Sequence, residues 1–188
     1  MGGHSGAEID KNRANANKLM GRFLYGLKKK AEYALISLTG GQKDNAITRE
    51  CTAEFLTDSV AEVKAYAKEL QEQVREEYTG SDENITFEIT EKDTATAEVL
   101  HPTSQEKIVF YLQNVPFGIQ KMSGTIEGLV ETSSNIGILR LDEDELFASS
   151  SVRSSIDAVC SALSDKIEYL TEFLGGDYEV QGAYPAWE

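Results

Sequence analysis

The chain has 188 residues, of which 40% are hydrophobic and 27% are charged, a balance typical of a folded globular protein rather than a disordered one. Its net charge is -14, because 32 acidic residues outweigh 18 basic ones. Such a charge repels the phosphates of nucleic acids and the headgroups of anionic lipids, so we expect neither nucleic acid nor membrane as a partner.

The first half is predicted to begin with one amphipathic helix over residues 9–30, in which apolar residues recur at helical spacing. The segments YALISLTGG and NAITRECTAEFLT alternate in polarity and flank Gly40–Gly41, a pattern that predicts a β-hairpin. Ser59 and Glu62 form a capping box that opens a second helix, which is predicted to stop at Gly80. NITFEIT then predicts a short strand.

The second half repeats this order of elements. TATAEVLH could supply a first strand, and Thr103 with Glu106 forms a second capping box, which predicts the third helix. GLVETSSNIGILRLD and ELFASSSVR are predicted strands joined by the acidic turn Glu143–Asp144. A fourth helix is predicted over residues 156–174, and DYEVQGAY is the last predicted strand.

The element order predicts an α+β fold made of two ferredoxin-like halves, at about residues 1–93 and 94–188. Each half would have the order β-α-β-β-α-β, with an antiparallel sheet and its helices on one face. The first strand of the first half is missing from the sequence. We therefore expect the chain to be part of a longer protein.

The sequence contains no group of residues that is typical of a catalytic centre. Cys51 and Cys160 are far apart in sequence and are expected to be reduced thiols in a cytoplasmic protein. The two histidines, His4 and His101, lie in no HxD, HxxxH or HExxH motif, so no metal site is predicted. GxSxG, P-loop and GxGxxG motifs are also absent from the sequence. The chain alone is predicted to lack a catalytic centre.

Several stretches resemble, in the same order, the aminoacyl-histidine dipeptidases, also called Xaa-His dipeptidases. They are GGHSGAEI, NANKLM, NAI followed by RE, VETSSNIG, RSSID and GAYPAWE. The resemblance implies the lid and dimerisation domain of a cytosolic metal-dependent peptidase, inserted in a catalytic domain that binds two divalent ions, expected to be zinc. It implies that this chain holds no cofactor and is inactive alone, that its partners are its own catalytic domain and a second lid in a homodimer, and that the substrate is an Xaa-His dipeptide.

The resemblance also implies roles for three residues of this chain. His4 would stabilise the oxyanion that forms at the scissile carbonyl, whereas Asn45 and Arg153 would bind the carboxyl end of the substrate. Each residue has a simpler interpretation. His4 could belong to an added N-terminal tail, Asn45 could be an ordinary turn residue, and Arg153 could pair only with Asp157 one helical turn away.

Two positions depart from the pattern of that family, and two others are expected to be structural. Thr48 stands where proline is common, which restores a backbone N–H to the strand, and Ala186 stands where glycine is usual. Arg49 alternates onto the same face as Cys51 and is expected to form a structural ion pair. His101 is expected to be an exposed neighbour of a helix cap.

Two other classes of function fit the same pattern of elements. Paired ferredoxin-like units also form regulatory modules that bind small molecules such as amino acids. A purely structural dimerisation domain is the other alternative, because exposed strand edges favour association. A regulatory module would bind its ligand without any other domain, whereas a lid would not.

Overall fold

A computed structural model describes residues 2–92, 96–142 and 145–182. Within these ranges the chain forms seven strands and four helices, and none of these helices is long and apolar enough to cross a membrane. In chain order they are β1 (Gly3–His4), α1 (Ala16–Leu27), β2 (Ala34–Gly40), β3 (Ala46–Ile47), β4 (Cys51–Leu56), α2 (Val60–Glu77), α3 (Pro102–Asn114), β5 (Gly118–Met122), β6 (Val130–Asp142), β7 (Glu145–Ser154) and α4 (Asp157–Phe173). Every strand pair is antiparallel, which confirms the predicted α+β class.

Strand β6 is the centre of a five-stranded sheet that connects the two parts of the chain. Strand β7 pairs along one side of β6. On the other side β2 pairs with its C-terminal part, where Leu38 faces Leu141, and β5 pairs with its N-terminal part, where Ile119 faces Ser133. Strand β4 pairs with β2, as the predicted hairpin requires. The division of the chain near residue 93 stays a prediction, since residues 93–95 lie outside the described ranges.

The core lies between β2 and β6 of this sheet and the helices α1, α2 and α3. Its side chains are supplied at the helical and strand spacings that the sequence shows. The most deeply buried apolar residues, each at most 1% exposed, are Leu24, Leu27, Leu35, Leu38, Leu70, Val74, Leu112, Ile136 and Leu139. Helix α4 packs on β7 instead, and its Leu170 only reaches the edge of this core.

The first helix is shorter than predicted. Residues Ile9–Lys11 form a separate 3-10 turn, and Asn12 then adopts a left-handed conformation with φ 50°. Helix α1 begins only after Asn15, whose side-chain oxygen accepts the N–H of Asn17 at 2.9 Å and that of Lys18 at 3.2 Å. The spacing of apolar residues could not show this break, because Ile9 is buried just as a helical residue would be.

Three predicted strands are absent from the described residues, namely those in segments 84–90, 96–101 and 177–182. The first of them shows why. Ile85, Phe87 and Ile89 are partly buried against the core, but side chains of α2 satisfy the backbone. Arg75 Nε donates to the carbonyl of Ile85 at 2.6 Å, and the N–H of Phe87 donates to Gln71 Oε1 at 2.9 Å. The segment is therefore extended without a neighbouring strand. The predicted turn Glu143–Asp144 and residues 94–95 and 183–184 lie outside the described ranges.

Both predicted capping boxes are wrong. His101 is itself the cap of α3, since its Nδ1 accepts the N–H of Thr103 at 3.2 Å and Pro102 occupies the first turn. Ser59 lies at the cap position of α2, but its side chain makes no capping hydrogen bond. Thr57 Oγ1 accepts the N–H of Ser59 at 3.1 Å instead. A cap depends on side-chain direction at the helix entry, which residue spacing alone does not fix.

The two cysteines are free thiols, as predicted. Burial raises the pKa of the Cys51 thiol to about 12, so hardly any thiolate forms near neutral pH. Cys51 packs against the core and acts as a small apolar side chain at the start of β4.

Lys18 closes the C-terminal end of α3 from the neighbouring helix α1. Its ammonium donates to the carbonyl oxygens of Val115 at 2.8 Å, Gln113 at 3.2 Å and Leu112. These carbonyls have no partner inside the helix, so a cation suits this position. Burial nevertheless lowers the pKa of Lys18 from 10.5 to about 8.

We expect this lowered pKa to make stability depend on pH. Between pH 8 and 10.5 the folded protein releases the Lys18 proton while the unfolded chain retains it. The unfolded state then binds more protons, so the free energy of unfolding should rise with pH in this window. Urea unfolding of the wild type and of Lys18→Met across the window measures the effect. Lys18→Met should remove part of the rise, whereas the exposed control Lys11→Met should keep it. Equal pH slopes in all three proteins would contradict the assignment.

Candidate functional site

A two-stranded ribbon joins the loop that carries His4 to the loop that carries Asn45. Strands β1 and β3 pair so that His4 lies opposite Ala46. Just beyond this pair, the N–H of Ser5 donates to the carbonyl oxygen of Asn45 at 2.9 Å. Two residues predicted to act in one site are therefore neighbours through the backbone, although they are distant in sequence.

Two backbone N–H groups fix the orientation of the His4 imidazole. Gly6 and Ala7 donate to its Nδ1 at 3.1 Å and 3.2 Å. A ring nitrogen that accepts these bonds carries no proton, so in the neutral ring the proton lies on Nε2. The residue is exposed, which leaves this N–H free to donate to a bound molecule.

Glu8 and Arg13 fix the shape of the same loop. The N–H of His4 donates to Glu8 Oε2 at 2.9 Å, and Arg13 forms an ion pair with Glu8 at 2.8 Å. Arg13 also donates to the carbonyl oxygen of Gly2. The hydrogen bond from His4, together with the charge of Arg13, lowers the pKa of the Glu8 carboxyl below its usual value. The loop is thus tied at both ends by one carboxylate and one guanidinium.

Strand β7 brings Arg153 to this loop. Arg153 lies opposite Ser133 of β6, close to the end of β7. A Cβ placed on Gly6 would lie 3.1 Å from Cε1 of His4 and 3.2 Å from both Cζ and Nε of Arg153. The imidazole and the guanidinium therefore flank the same glycine. Arg153 is exposed, and none of the ion pairs found between described residues involves it. The alternative pairing with Asp157 stays a prediction.

Asn45 is exposed at the tip of the hairpin connection. Its N–H donates to Asp44 Oδ1 at 2.8 Å, and its carbonyl accepts from Ser5. Asp44 thus makes the turn hydrogen bond that was one interpretation of Asn45. Within the described ranges the side-chain amide of Asn45 makes no hydrogen bond, which leaves it available to a ligand.

The surface beside His4 is an open groove of about 1860 Å³ that also extends over α3 and α4. His4, Gly6, Asp44 and Arg153 line one end of it. Its volume exceeds that of ordinary ligand pockets, which hold roughly 300–1,000 Å³. A groove of this size and openness suits a surface that a second domain covers.

Sequence reasoning missed a layer of buried polar residues behind these loops. Asn15, Asn17 and Asn135 are at most 1% exposed, and Thr48 is 3% exposed. Buried amides in native proteins are hydrogen-bonded, and such networks give a region one defined arrangement. Three of these four residues lie in the NANK and VETSSNIG stretches, where polar side chains stand inside a predicted helix and a predicted strand.

Thr48 and Arg49 differ from what the sequence suggested. The hydroxyl of Thr48 donates to the carbonyl of Gly137 at 2.9 Å and accepts from Asn17 Nδ2 at 3.2 Å, so this side chain links α1 to β6. Arg49 is exposed, whereas Ile47 and Thr48 are both buried, and it forms no ion pair with a described residue. The predicted alternation fails because β3 ends at Ile47 and β4 begins only at Cys51.

Metal ligands are not grouped in this part of the chain. Within the described ranges, no three or more His, Cys, Asp or Glu side chains come together in a way that could hold a metal ion. These residues do not fit the pair of divalent ions that the resemblance implies. Any such ions would need ligands from other residues.

Comparison with known proteins decides the type of domain. Residues 1–82 match the family model described as a peptidase dimerisation domain. This first part of the chain is therefore similar to peptidase dimerisation domains. It is 31% identical over 189 aligned positions to the cytosol non-specific dipeptidase of Escherichia coli (strain K12), an alignment that covers 100% of this chain and 39% of the relative. The crystal structure of the aminoacylhistidine dipeptidase from Vibrio alginolyticus matches with a TM-score of 0.88 and 32% identity, covering 100% of this chain and 38% of that one.

The chain thus resembles two dipeptidases along its whole length, which confirms the resemblance predicted from the sequence. Both relatives are hydrolases of dipeptides by name. The chain spans less than two fifths of the length of each. This likeness establishes the fold of the chain.

Proposed function

We propose that this dimerisation domain is the lid of a cytoplasmic, metal-dependent dipeptidase and completes the active site of that enzyme. In this proposal it forms a homodimer and covers a catalytic domain that binds two divalent ions such as zinc. The substrates are dipeptides, with Xaa-His dipeptides as the class that the Vibrio relative suggests by its name. The similarity to two dipeptidases supports the reaction class, and the geometry around Gly6 supports the roles of individual residues.

The tautomer of His4 carries the proposal. Because Gly6 and Ala7 donate to Nδ1, the exposed Nε2–H is the group that can donate to a substrate oxygen. Hydrolysis of a peptide bond places negative charge on the former carbonyl oxygen, and a donor fixed in advance stabilises that charge. His4 would therefore act on the oxyanion and not as a base.

Arg153 and Asn45 would recognise the carboxyl end of the dipeptide. A guanidinium can bind a carboxylate through two parallel hydrogen bonds, and Arg153 has no carboxylate partner among the described residues. The backbone of Asn45 is bonded to Ser5, the residue after His4. A dipeptide held at its carboxyl end would then place its single peptide bond near His4.

Replacement of Arg153 by glutamine is expected to raise the KM of the full-length dipeptidase for a dipeptide by about 100-fold, because a charged hydrogen-bonded pair contributes about 1.5–3 kcal/mol. A dipeptide with an amidated C-terminus should bind weakly to the wild type and be almost unaffected by the change. Steady-state kinetics with both substrates measures this. The matched control is Arg140→Gln, since Arg140 pairs with Asp142 at 2.5 Å instead. Equal losses for the free and the amidated dipeptide would rule out carboxylate recognition.

The family description also favours a second candidate, a domain that only dimerises. Such a scaffold would need neither the fixed imidazole of His4 nor the exposed guanidinium of Arg153. The kinetics of His4 variants separate the two functions.

A further inference from the structure

Asn135 lies behind both loops of the candidate site. It is 1% exposed on β6, and its Nδ2 donates to the carbonyl oxygens of Ala46 at 2.9 Å and Asp44 at 3.3 Å. These two carbonyls belong to the residues on either side of Asn45. The buried side-chain amide of Asn135 therefore holds the backbone on both sides of Asn45 by hydrogen bonds.

Asn15 fixes the orientation of the Asn135 side-chain amide. Asn15 Nδ2 donates to Asn135 Oδ1 at 3.0 Å and to the carbonyl of Ile136 at 2.9 Å. Asn15 is in turn held by its capping bonds to the start of α1. Because the oxygen of Asn135 is used by Asn15, its NH2 group must face the loop.

A bulge in β6 allows the loop to approach this closely. The register of β6 against β7 shifts between Ile136 and Ile138, which leaves Gly137 as the extra residue. A Cβ on Gly137 would lie 2.5 Å from the carbonyl oxygen of Lys43 and would overlap that of Asp44. The connection between β2 and β3 is thus seated directly on the bulge.

Asn135 is also connected to His4, through the pairing of β1 with β3. Ala46, whose carbonyl accepts from Asn135, lies opposite His4 in the pairing of β1 with β3. Ser5, next to His4, donates to the carbonyl of Asn45. A shift of Ala46 would therefore move the imidazole and the Asn45 amide together.

We propose that Asn135 is a positioning residue that sets His4 and Asn45 in place for the reaction. This inference rests on the proposed function and deepens it. Asn135 lies behind the loops and acts on the reaction only through them. Replacement of a residue that only stabilises the fold would lower the free energy of unfolding of the whole domain. Replacement of a positioning residue lowers turnover, and it does so through His4.

A double-mutant cycle in the full-length dipeptidase tests the proposal. Asn135→Asp keeps the shape of the side chain but removes both donors to Asp44 and Ala46. We expect it to lower kcat/KM by about 30-fold in the wild type and by less than about 3-fold when His4 is already alanine, because coupled residues are not additive. Asn114→Ala is the matched control, since Asn114 is an exposed asparagine that donates at 2.8 Å to Phe110 of its own helix, and it should leave kcat/KM unchanged.

Amide hydrogen exchange on this chain provides an independent readout. The N–H of Ser5 should exchange about 10-fold faster in Asn135→Asp, while the amide of Leu38 in the sheet should keep its wild-type rate. Asn135→Ala also removes both donors, without adding a charge, and serves the same purpose if Asn135→Asp does not fold.

Equal losses in the presence and absence of His4, or a wild-type exchange rate at Ser5, would overturn the positioning role alone. Unchanged turnover of the single variant His4→Ala would overturn the proposed function, and with it any role of Asn135 in catalysis.

Discussion

Replacement of His4 by alanine in the full-length dipeptidase is expected to lower kcat by about 100- to 1000-fold, the typical effect of losing one oxyanion donor. The loss should fall on kcat more than on KM, because the Nε2–H interacts most strongly with the charge that develops during the reaction. Steady-state kinetics with a dipeptide substrate gives both parameters.

His101→Ala is the matched control for this experiment. His101 is the other histidine of the chain, and its Nδ1 also accepts a backbone N–H, that of Thr103 in α3. Its loss should affect the end of a helix and leave kcat unchanged. If His4→Ala kept wild-type turnover, the domain would be a dimerisation scaffold. Binding of a free amino acid to this chain alone in a calorimetric titration would instead support the regulatory module.

Replacement of Gly41 by alanine is expected to lower the free energy of unfolding by about 3 kcal/mol or more. Gly41 has φ 73°, a left-handed conformation that costs a residue with a Cβ about 1–2 kcal/mol. The new methyl group would also overlap the carbonyl oxygen of Gly137, and neither backbone segment can yield without breaking its hydrogen bonds. Urea unfolding followed by circular dichroism measures the change.

Gly80→Ala separates the two causes. Gly80 has a similar φ of 80°, but no atom lies within 4 Å of the position that its Cβ would occupy. Its replacement should cost only about 1 kcal/mol, the strain of the backbone alone. A similar loss at Gly41 and Gly80 would show that the bulge of β6 yields to the methyl group, and that the loop is less tightly seated than the structure implies.

The sequence was informative wherever the relevant pattern is local. Apolar periodicity located the bodies of α1 to α4, and alternation with a Gly-Gly turn located the β2–β4 hairpin. The sequence also predicted an extended segment at NITFEIT, in which Ile85, Phe87 and Ile89 pack against the core. It could not show that this segment has no strand beside it, because strand pairing depends on residues elsewhere in the chain.

The start of α1 illustrates the opposite case. Ile9 fits the helical spacing, but the left-handed Asn12 and the cap at Asn15 interrupt the helix before Ala16. The cap forms because Asn15 is also bonded to β6, through Asn135 and Ile136. That contact joins distant parts of the chain, so no local pattern can reveal it.

By itself the sequence determined the fold class and the likeness to dipeptidases, because local periodicity and motif order are written along the chain. The roles of His4, Asn45 and Arg153 are predictions that this likeness suggests. Only the tertiary structure decided that His4 and Arg153 share Gly6 as a neighbour, that Nε2 of His4 bears the proton, and that Asn135 lies behind the ribbon. These facts depend on β6 and β7 meeting the N-terminal loop. Such contacts arise from the packing of remote segments, on which the spacing of residues within one segment carries no information.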